Sequence, residues 1–234
     1  MGFTKISALS LTDLFVQQVE NMILSGELDV GEQLPSAREL TTKMGVSRPV
    51  ISAGVVELEK MGFVEIRPRK GVYVCDYRRK GTVETLVAIM RYNGGAMRRN
   101  EVKSLLEVRN AMECLCVRLI VERATDEELA TLSPLLDGIR DASDNDEAAE
   151  QVFHFHHEMA VLSGNNLLPL MYYSFRPESV HLWSRFCKYK SVNVLYEIKR
   201  RLYDALLARD IPNAQAQTDE VMGNAITDLS VYCG

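Results

Sequence analysis

The chain has 234 residues, of which 47% are hydrophobic and 25% charged, and a formal net charge of −5. That length holds one large or two ordinary domains with a packed core, and the acidic balance excludes a generally basic nucleic-acid coat protein. No stretch approaches the roughly 20 apolar residues of a membrane span, and the first residues lack the long apolar run of a signal peptide. A cytoplasmic protein without a membrane partner is therefore expected. Five cysteines, Cys75, Cys114, Cys116, Cys187 and Cys233, form an odd set without metal or redox spacing. They read as small buried hydrophobes in a reducing compartment.

In chain order, residues 10–26 predict a helix capped by Ser10, with Leu11, Phe15, Val19, Met22 and Ile23 in one apolar stripe and Gly26 at its end. Ser36-Ala37-Arg38-Glu39 is a capping box: the Ser36 hydroxyl accepts from the Glu39 N–H, and the Glu39 carboxylate accepts from the Ser36 N–H. The helix it opens runs to about Met44 and stops at Gly45. Ser47 is a second N-cap. Pro49 is tolerated behind it, because a first-turn N–H has no intrahelical partner. The second helix runs to about Met61. Two helices joined by Gly45-Val46 make a helix-turn-helix, whose second helix enters the major groove. Val64-Glu65-Ile66-Arg67 and Val72-Tyr73-Val74 read as strands, joined by a basic turn, Pro68-Arg69-Lys70-Gly71. Residues 1–76 are thus expected to form a winged helix-turn-helix that binds double-stranded DNA. The module is not net basic, so it must rely on local basic clusters acting within a Debye length of roughly 8–10 Å.

A polar, charged linker follows at 77–81. Residues 82–234 predict only helices: 82–92, stopped by Asn93-Gly94-Gly95; 100–124; 126–142, opened by a capping box at Thr125; 146–162; 167–175 and its continuation to 190 after a break at Arg176-Pro177; 192–209; and 212–231. The fold class is mainly α, with three helices and a two-stranded wing followed by an antiparallel bundle of six or seven helices. Bundles of this kind commonly hold small molecules between helices. Nothing in the chain has the spacing of a nucleophile–base pair, a phosphate loop or a glycine fingerprint, so an enzyme is not expected.

Leu34-Pro35-Ser36-x-Arg38-Glu39-Leu40, Gly45-Val46-Ser47-Arg48 and Gly62-x-Val64-x-x-Arg67-Pro68-Arg69-x-Gly71 resemble the GntR family of bacterial transcription regulators. Leu106-Glu107-x-Arg109-x-x-x-Glu113, Phe155-His156-x-x-x-Ala160-x-x-Ser163-Gly164-Asn165 and Leu206-x-x-Arg209-Asp210 resemble its FadR-type subfamily. The resemblance covers nearly the whole chain. It implies a homodimer that reads a short palindromic operator, and a helical domain that senses a small-molecule effector. It places DNA contacts at Arg38, at Ser47 and Arg48, and in the wing at Arg69, Lys70 and Gly71. Pro49, Val50 and Ser52 on the recognition helix and Arg67 in the wing complete the expected DNA-facing set. Arginine suits this work because its fork can bond O6 and N7 of one guanine. Where the family usually carries Arg-Glu in the recognition helix, this chain has Ser52-Ala53, followed by Gly54, which costs a helix about 1 kcal/mol relative to Ala. An operator differing at the step that Arg would read is expected.

Many FadR-type bundles hold a divalent metal with one Asp and three His. Those positions correspond here to Val152, His156, Lys199 and Val221, so no metal and no other cofactor is expected. The neighbouring His154 and His157 share a helix face and could make at most a weak two-histidine site. Arg109, His156 and Lys199 are instead expected to converge on the former metal cavity and to hold an anionic effector: a carboxylate, phosphate or sulfonate. Alternatively, Lys199 pairs internally with Glu107 or Glu113. Tyr172, Tyr173, His181, Trp183 and Arg185 are candidates for the cavity rim. The expected function is a ligand-responsive repressor. An acyl-coenzyme A sensor of the same fold, and a ligand-blind DNA-binding protein, are the alternatives.

Overall fold

The computed structural model describes residues 10–92 and 99–228. The expected helix stop at Asn93-Gly94-Gly95, the last residues of the final helix and Cys233 lie outside that range. The chain divides between residues 94 and 95 into two compact units.

In the first unit, α1 (Leu11–Ser25) opens on a reciprocal capping box between Ser10 and Asp13 and closes on Gly26 at φ 82°. α2 (Ala37–Met44) repeats the pattern with Ser36, Glu39 and Gly45. α3 (Arg48–Lys60) starts with Pro49 in its first turn. Phe15, Val19 and Ile23 of α1 meet Ile51, Val55 and Leu58 of α3 in a core that also takes Leu34, Leu40 and Phe63. Gly54 is buried on the α1 side of α3, and a Cβ there would fall 2.8 Å from Cε1 of Phe15. The glycine lets two helices approach across an aromatic ring.

β1 (Val64–Arg67) and β2 (Gly71–Val74) pair antiparallel, with Val64 opposite Val74 and Arg67 opposite Gly71. The segment before α2 pairs along the free edge of β2, with Gln33 opposite Tyr73. Leu34 N–H donates to the Val72 carbonyl at 2.8 Å, Val74 N–H donates to the Glu32 carbonyl at 2.8 Å, and Gln33 Nε2 donates to the Lys70 carbonyl at 2.8 Å. No alternation in the sequence signals this pairing, because the segment is short and sends only Leu34 into the core.

Residues 77–81, expected as a linker, form a short helix, α4 (Tyr77–Lys80), capped by Asp76. Lys80 reaches Glu65 on β1 at 2.8 Å. α5 (Val83–Tyr92), expected as the first helix of the bundle, packs on α1. Its Ala88 joins the core of the first unit, and the Thr85 hydroxyl donates to the Met61 carbonyl at the end of α3. An amphipathic stripe shows that a helix needs a core to cover; it does not say which core.

The second unit contains α6 (Arg99–Arg123), α7 (Asp126–Ala130), α8 (Ser133–Arg140), α9 (Asn145–Leu162), α10 (Leu168–Ser174), α11 (Arg176–Lys190), α12 (Val192–Leu207) and α13 (Ile211–Thr227). α9 is the central helix and packs against α6, α8, α10 and α11. The helix expected over 126–142 is divided into α7 and α8. Pro134 explains the division: its ring excludes the carbonyl of the residue four earlier, Ala130, where α7 ends. Pro177 acts in the same way at the α10–α11 break.

Two of the motifs noted above turn out to be clamps on helix ends. Arg209 donates to the Ala124 carbonyl at 2.7 Å and reaches Asp126 at 2.6 Å, closing the C-terminus of α6. Arg123 donates to the Ser163 carbonyl at 3.0 Å just past α9, and Asn165 accepts from the Leu167 N–H at 2.9 Å. Basic side chains at helix C-termini satisfy carbonyls that have no intrahelical donor. Among the described residues no helix is long and apolar enough to cross a membrane.

Candidate functional site

The first unit exposes Arg38 on α2, and Ser47, Arg48, Pro49 and Ser52 at the start of α3. Val50 is half-buried. The Ser47 hydroxyl makes no capping bond to α3, so its donor and acceptor capacity stays outward. Arg38, Arg48, Arg69 and Lys70 have no ion-pair partner among the described residues. Free cations at an exposed helix start and hairpin tip are what phosphates and guanine edges need. Arg67 differs from these four. Its guanidinium lies 4.3 Å from the Tyr73 ring centroid and 3.7 Å from Glu65, so it already has partners within the wing. Ser52 borders a cleft of about 240 Å³ between α3 and the wing, with Val56 and Ile66 beside it.

The wing tip stores strain. Lys70 N–H donates to the Arg67 carbonyl at 2.9 Å, closing a turn with Pro68 first and Arg69 second. Arg69 sits at φ 64°, where a type II turn prefers glycine. Gly71 follows at φ 116°, against the Gln33 side chain. Relief of this strain in Arg69→Gly is expected to stabilise the unit by about 0.5–1 kcal/mol, net of the entropy glycine adds to the unfolded chain. The same change should weaken DNA binding several-fold. Denaturant titration and a DNA-binding isotherm on one preparation check both halves. A variant that loses stability while keeping full affinity would remove Arg69 from the interface.

The second unit buries an unusual set of polar side chains. Arg109 is 7% exposed, Glu113 1%, His156 1% and Lys199 2%. Arg109, His156 and Lys199 converge on Trp183 of α11, and Glu113 abuts Arg109 and His156. Lys199 Nζ lies 4.4 Å from the indole centroid and the Arg109 guanidinium 5.0 Å, while the His156 ring stacks nearly parallel at 6.1 Å. The Tyr172 ring of α10 also lies nearly parallel to His156, at 6.4 Å. A cation over an aromatic face is stabilised, more so once desolvated. Glu113, one turn after Arg109 on α6, places Oε2 3.7 Å from Arg109 Nε and Oε1 3.2 Å from His156 Nδ1, without hydrogen-bond alignment in either pair. Arg109 Nη1 donates to Ser179 Oγ at 3.3 Å. Among the described residues, Arg109 Nε, Glu113 Oε2, both His156 nitrogens, Tyr172 Oη and Trp183 Nε1 are buried without a hydrogen-bond partner.

Electrostatics follow from this burial. Burial pushes the Lys199 ammonium down to about 8; Glu113 opposes the shift and Arg109 adds to it. Burial, then Lys199 and Arg109, hold the His156 imidazole well below its ordinary value, so it is neutral. Burial, reinforced by Glu113, raises the Tyr172 phenol and keeps its proton in place. A cleft of about 20 Å³ leads toward Arg109 past Leu105, Met112 and Tyr172, room for roughly one water.

Arg109, His156 and Lys199 are therefore brought together around Trp183. Glu107 is exposed and pairs with Lys103 at 3.8 Å, so it is not the partner of Lys199. Glu113 faces the cluster but makes no direct ion pair with Lys199. Tyr172 and Trp183 lie inside the cluster rather than on its rim, whereas Tyr173 and His181 are exposed outside it. A metal does not fit these residues. Val152 is fully buried and offers no donor, Lys199 puts a cation where a ligand would be needed, and Val221 has no ligating atom. His154 and His157 pack on the Phe153 ring at 5.6 and 5.7 Å. Among the described residues no group of three or more His, Cys, Asp or Glu has metal-holding geometry.

The family model for bacterial regulatory proteins of the gntR family matches residues 12–74, and that for the FCD domain matches residues 104–224. The HTH-type transcriptional regulator LutR of Bacillus subtilis is 30% identical over 220 residues, which is 90% of this chain and 97% of that protein. The HTH-type transcriptional repressor NanR of Cronobacter sakazakii is 26% identical over 174 residues, 70% of this chain and 63% of its own. A solved structure from work on Lar, which "controls the expression of the Listeria monocytogenes agr system and mediates virulence", aligns with 97% of this chain and 99% of its own, with a TM-score of 0.57 at 15% identity, so the fold is shared. The chain belongs to the GntR family: it is a transcriptional regulator that joins a winged helix-turn-helix to an FCD domain.

Proposed function

We propose that this regulator is a homodimeric repressor whose hold on a palindromic operator is released by a small anionic metabolite bound without metal at Arg109, His156 and Lys199. The observation that carries this reading is the buried surplus of positive charge around Trp183, with unpaired donors on three surrounding side chains. Buried charges and polar groups are costly unless partnered, and an anion supplies the missing partner. Arg38, Ser47, Arg48, Arg69 and Lys70 carry the DNA contacts. NanR, a relative, is itself named a repressor. Effector binding works by shifting the balance between arrangements that do and do not fit the operator.

The test is fluorescence anisotropy with labelled DNA from the gene's own upstream region, titrated with carboxylates, phosphates and sulfonates, with and without EDTA. One or more acids should weaken binding equally in both conditions. A response that vanishes with EDTA overturns the metal-free site. No response to any acid overturns the sensor and leaves a ligand-blind DNA-binding protein. In the same assay Arg48→Ala should cost roughly 10–100-fold in affinity, the worth of one bidentate base contact, and unchanged binding would overturn the docking.

A further inference from the structure

We infer that Glu113 sets the charge and shape of the effector, so that the cluster selects a monovalent anion carrying a neutral hydrogen-bond donor. This rests on the reading of the cluster as an anion site. Two independent counts lead to it, one of charge and one of hydrogen bonds.

The charge count uses four residues. Arg109 and Lys199 each contribute one positive charge, Glu113 removes one, and His156 is neutral, held so by burial and by both cations. One positive charge is left over on side chains almost wholly withdrawn from bulk water. A monoanion cancels it. A dianion reverses it and leaves an uncompensated negative charge, which a low-dielectric interior penalises as heavily. The hydrogen-bond count adds a second condition. Arg109 Nε, Tyr172 Oη and Trp183 Nε1 are unpaired donors among the described residues, and neutral imidazole has one donor and one acceptor. Glu113 Oε2 is an unpaired acceptor. A bare anion satisfies only the donors and leaves that oxygen orphaned. A hydroxyl or amide group beside the anionic group satisfies both. The geometry is fixed in advance, because Arg109 and Glu113 are one turn apart on α6 and share a face, while His156 on α9 abuts the same carboxylate. Anion and donor are thus bound side by side.

A matched four-carbon set tests this by calorimetry on the full-length protein at neutral pH: butyrate, 3-hydroxybutyrate and succinate. In the wild type, 3-hydroxybutyrate should bind tightest and succinate weakest, with roughly tenfold between them. In Glu113→Gln the site gains a second uncompensated positive charge, so succinate should become the preferred ligand. A merely structural role for Glu113 would weaken all three alike and would not reorder them. Wild-type preference for succinate or for butyrate overturns this inference and leaves the anion site standing, as does an unchanged order in Glu113→Gln. No heat with any of the three acids overturns this inference as well, and the anion site itself falls only if the phosphates and sulfonates of the wider panel also fail to bind.

Discussion

Lys199→Met is expected to give a more stable protein that no longer answers its effector. Lys199 is 2% exposed, has no direct ion pair among the described residues and is held at about 8 against an ordinary 10.5. The depressed value means that the folded chain carries a burial cost whenever the amine is protonated. At neutral pH that cost is on the order of 3 kcal/mol. Methionine fills a similar volume without the charge and leaves Arg109 and Glu113 as a balanced pair. The direction with pH is defined. Below pH 8 the amine is charged in both folded and unfolded chains, and the whole cost is present. Between about 8 and 10.5 the folded chain releases its proton first, so the cost is relieved and wild-type stability rises toward that of the variant. Denaturant unfolding at pH 7 and pH 9.5 measures the gap. A gap of the same size at both values, or a destabilised variant, would contradict the account. The loss of effector response is read separately, by operator release, and links a stability deficit to function: natural sequences keep such charges where activity needs them.

Gly54→Ala is expected to destabilise the winged unit by about 1–3 kcal/mol, the usual range for overpacking a core. Helix propensity alone predicts the opposite, a gain of about 1 kcal/mol. The new methyl group would fall on the ring of Phe15, which is 1% exposed and walled in by the same core. Neither helix can retreat without opening the contact between α1 and α3. Displacing α3 also moves Ser47 and Arg48, so operator affinity should fall with stability. Chemical denaturation checks the sign, and an alanine variant at least as stable as the wild type would show that the ring finds another position.

Features set by neighbouring residues were legible in the sequence. Capping at Ser10, Ser36 and Thr125, the glycine stops at Gly26 and Gly45, and the two wing strands with their turn depend on residues a few positions apart. Features decided by what a segment meets in space were not. Gly54 read as a weakness of the recognition helix and is a seat for Phe15. The stripe of α5 looked like bundle and fills the first unit. Pro134 was visible, but the long apolar pattern around it hid the division of α7 from α8. In the cluster, Arg109, His156 and Lys199 could be placed because the family's cavity positions mark them. Glu113 could not be singled out from Glu107 on the same helix: one is buried and one exposed, and only the crossing of α6 with α9 decides which.

Trp183 is the chain's single tryptophan. It lies flat against His156 with both cations over its ring. Tryptophan emission from the folded chain therefore arises from one known place. Any molecule that draws Arg109 or Lys199 off the indole changes the field felt by the excited state, so occupancy of the cluster is readable optically, without a label.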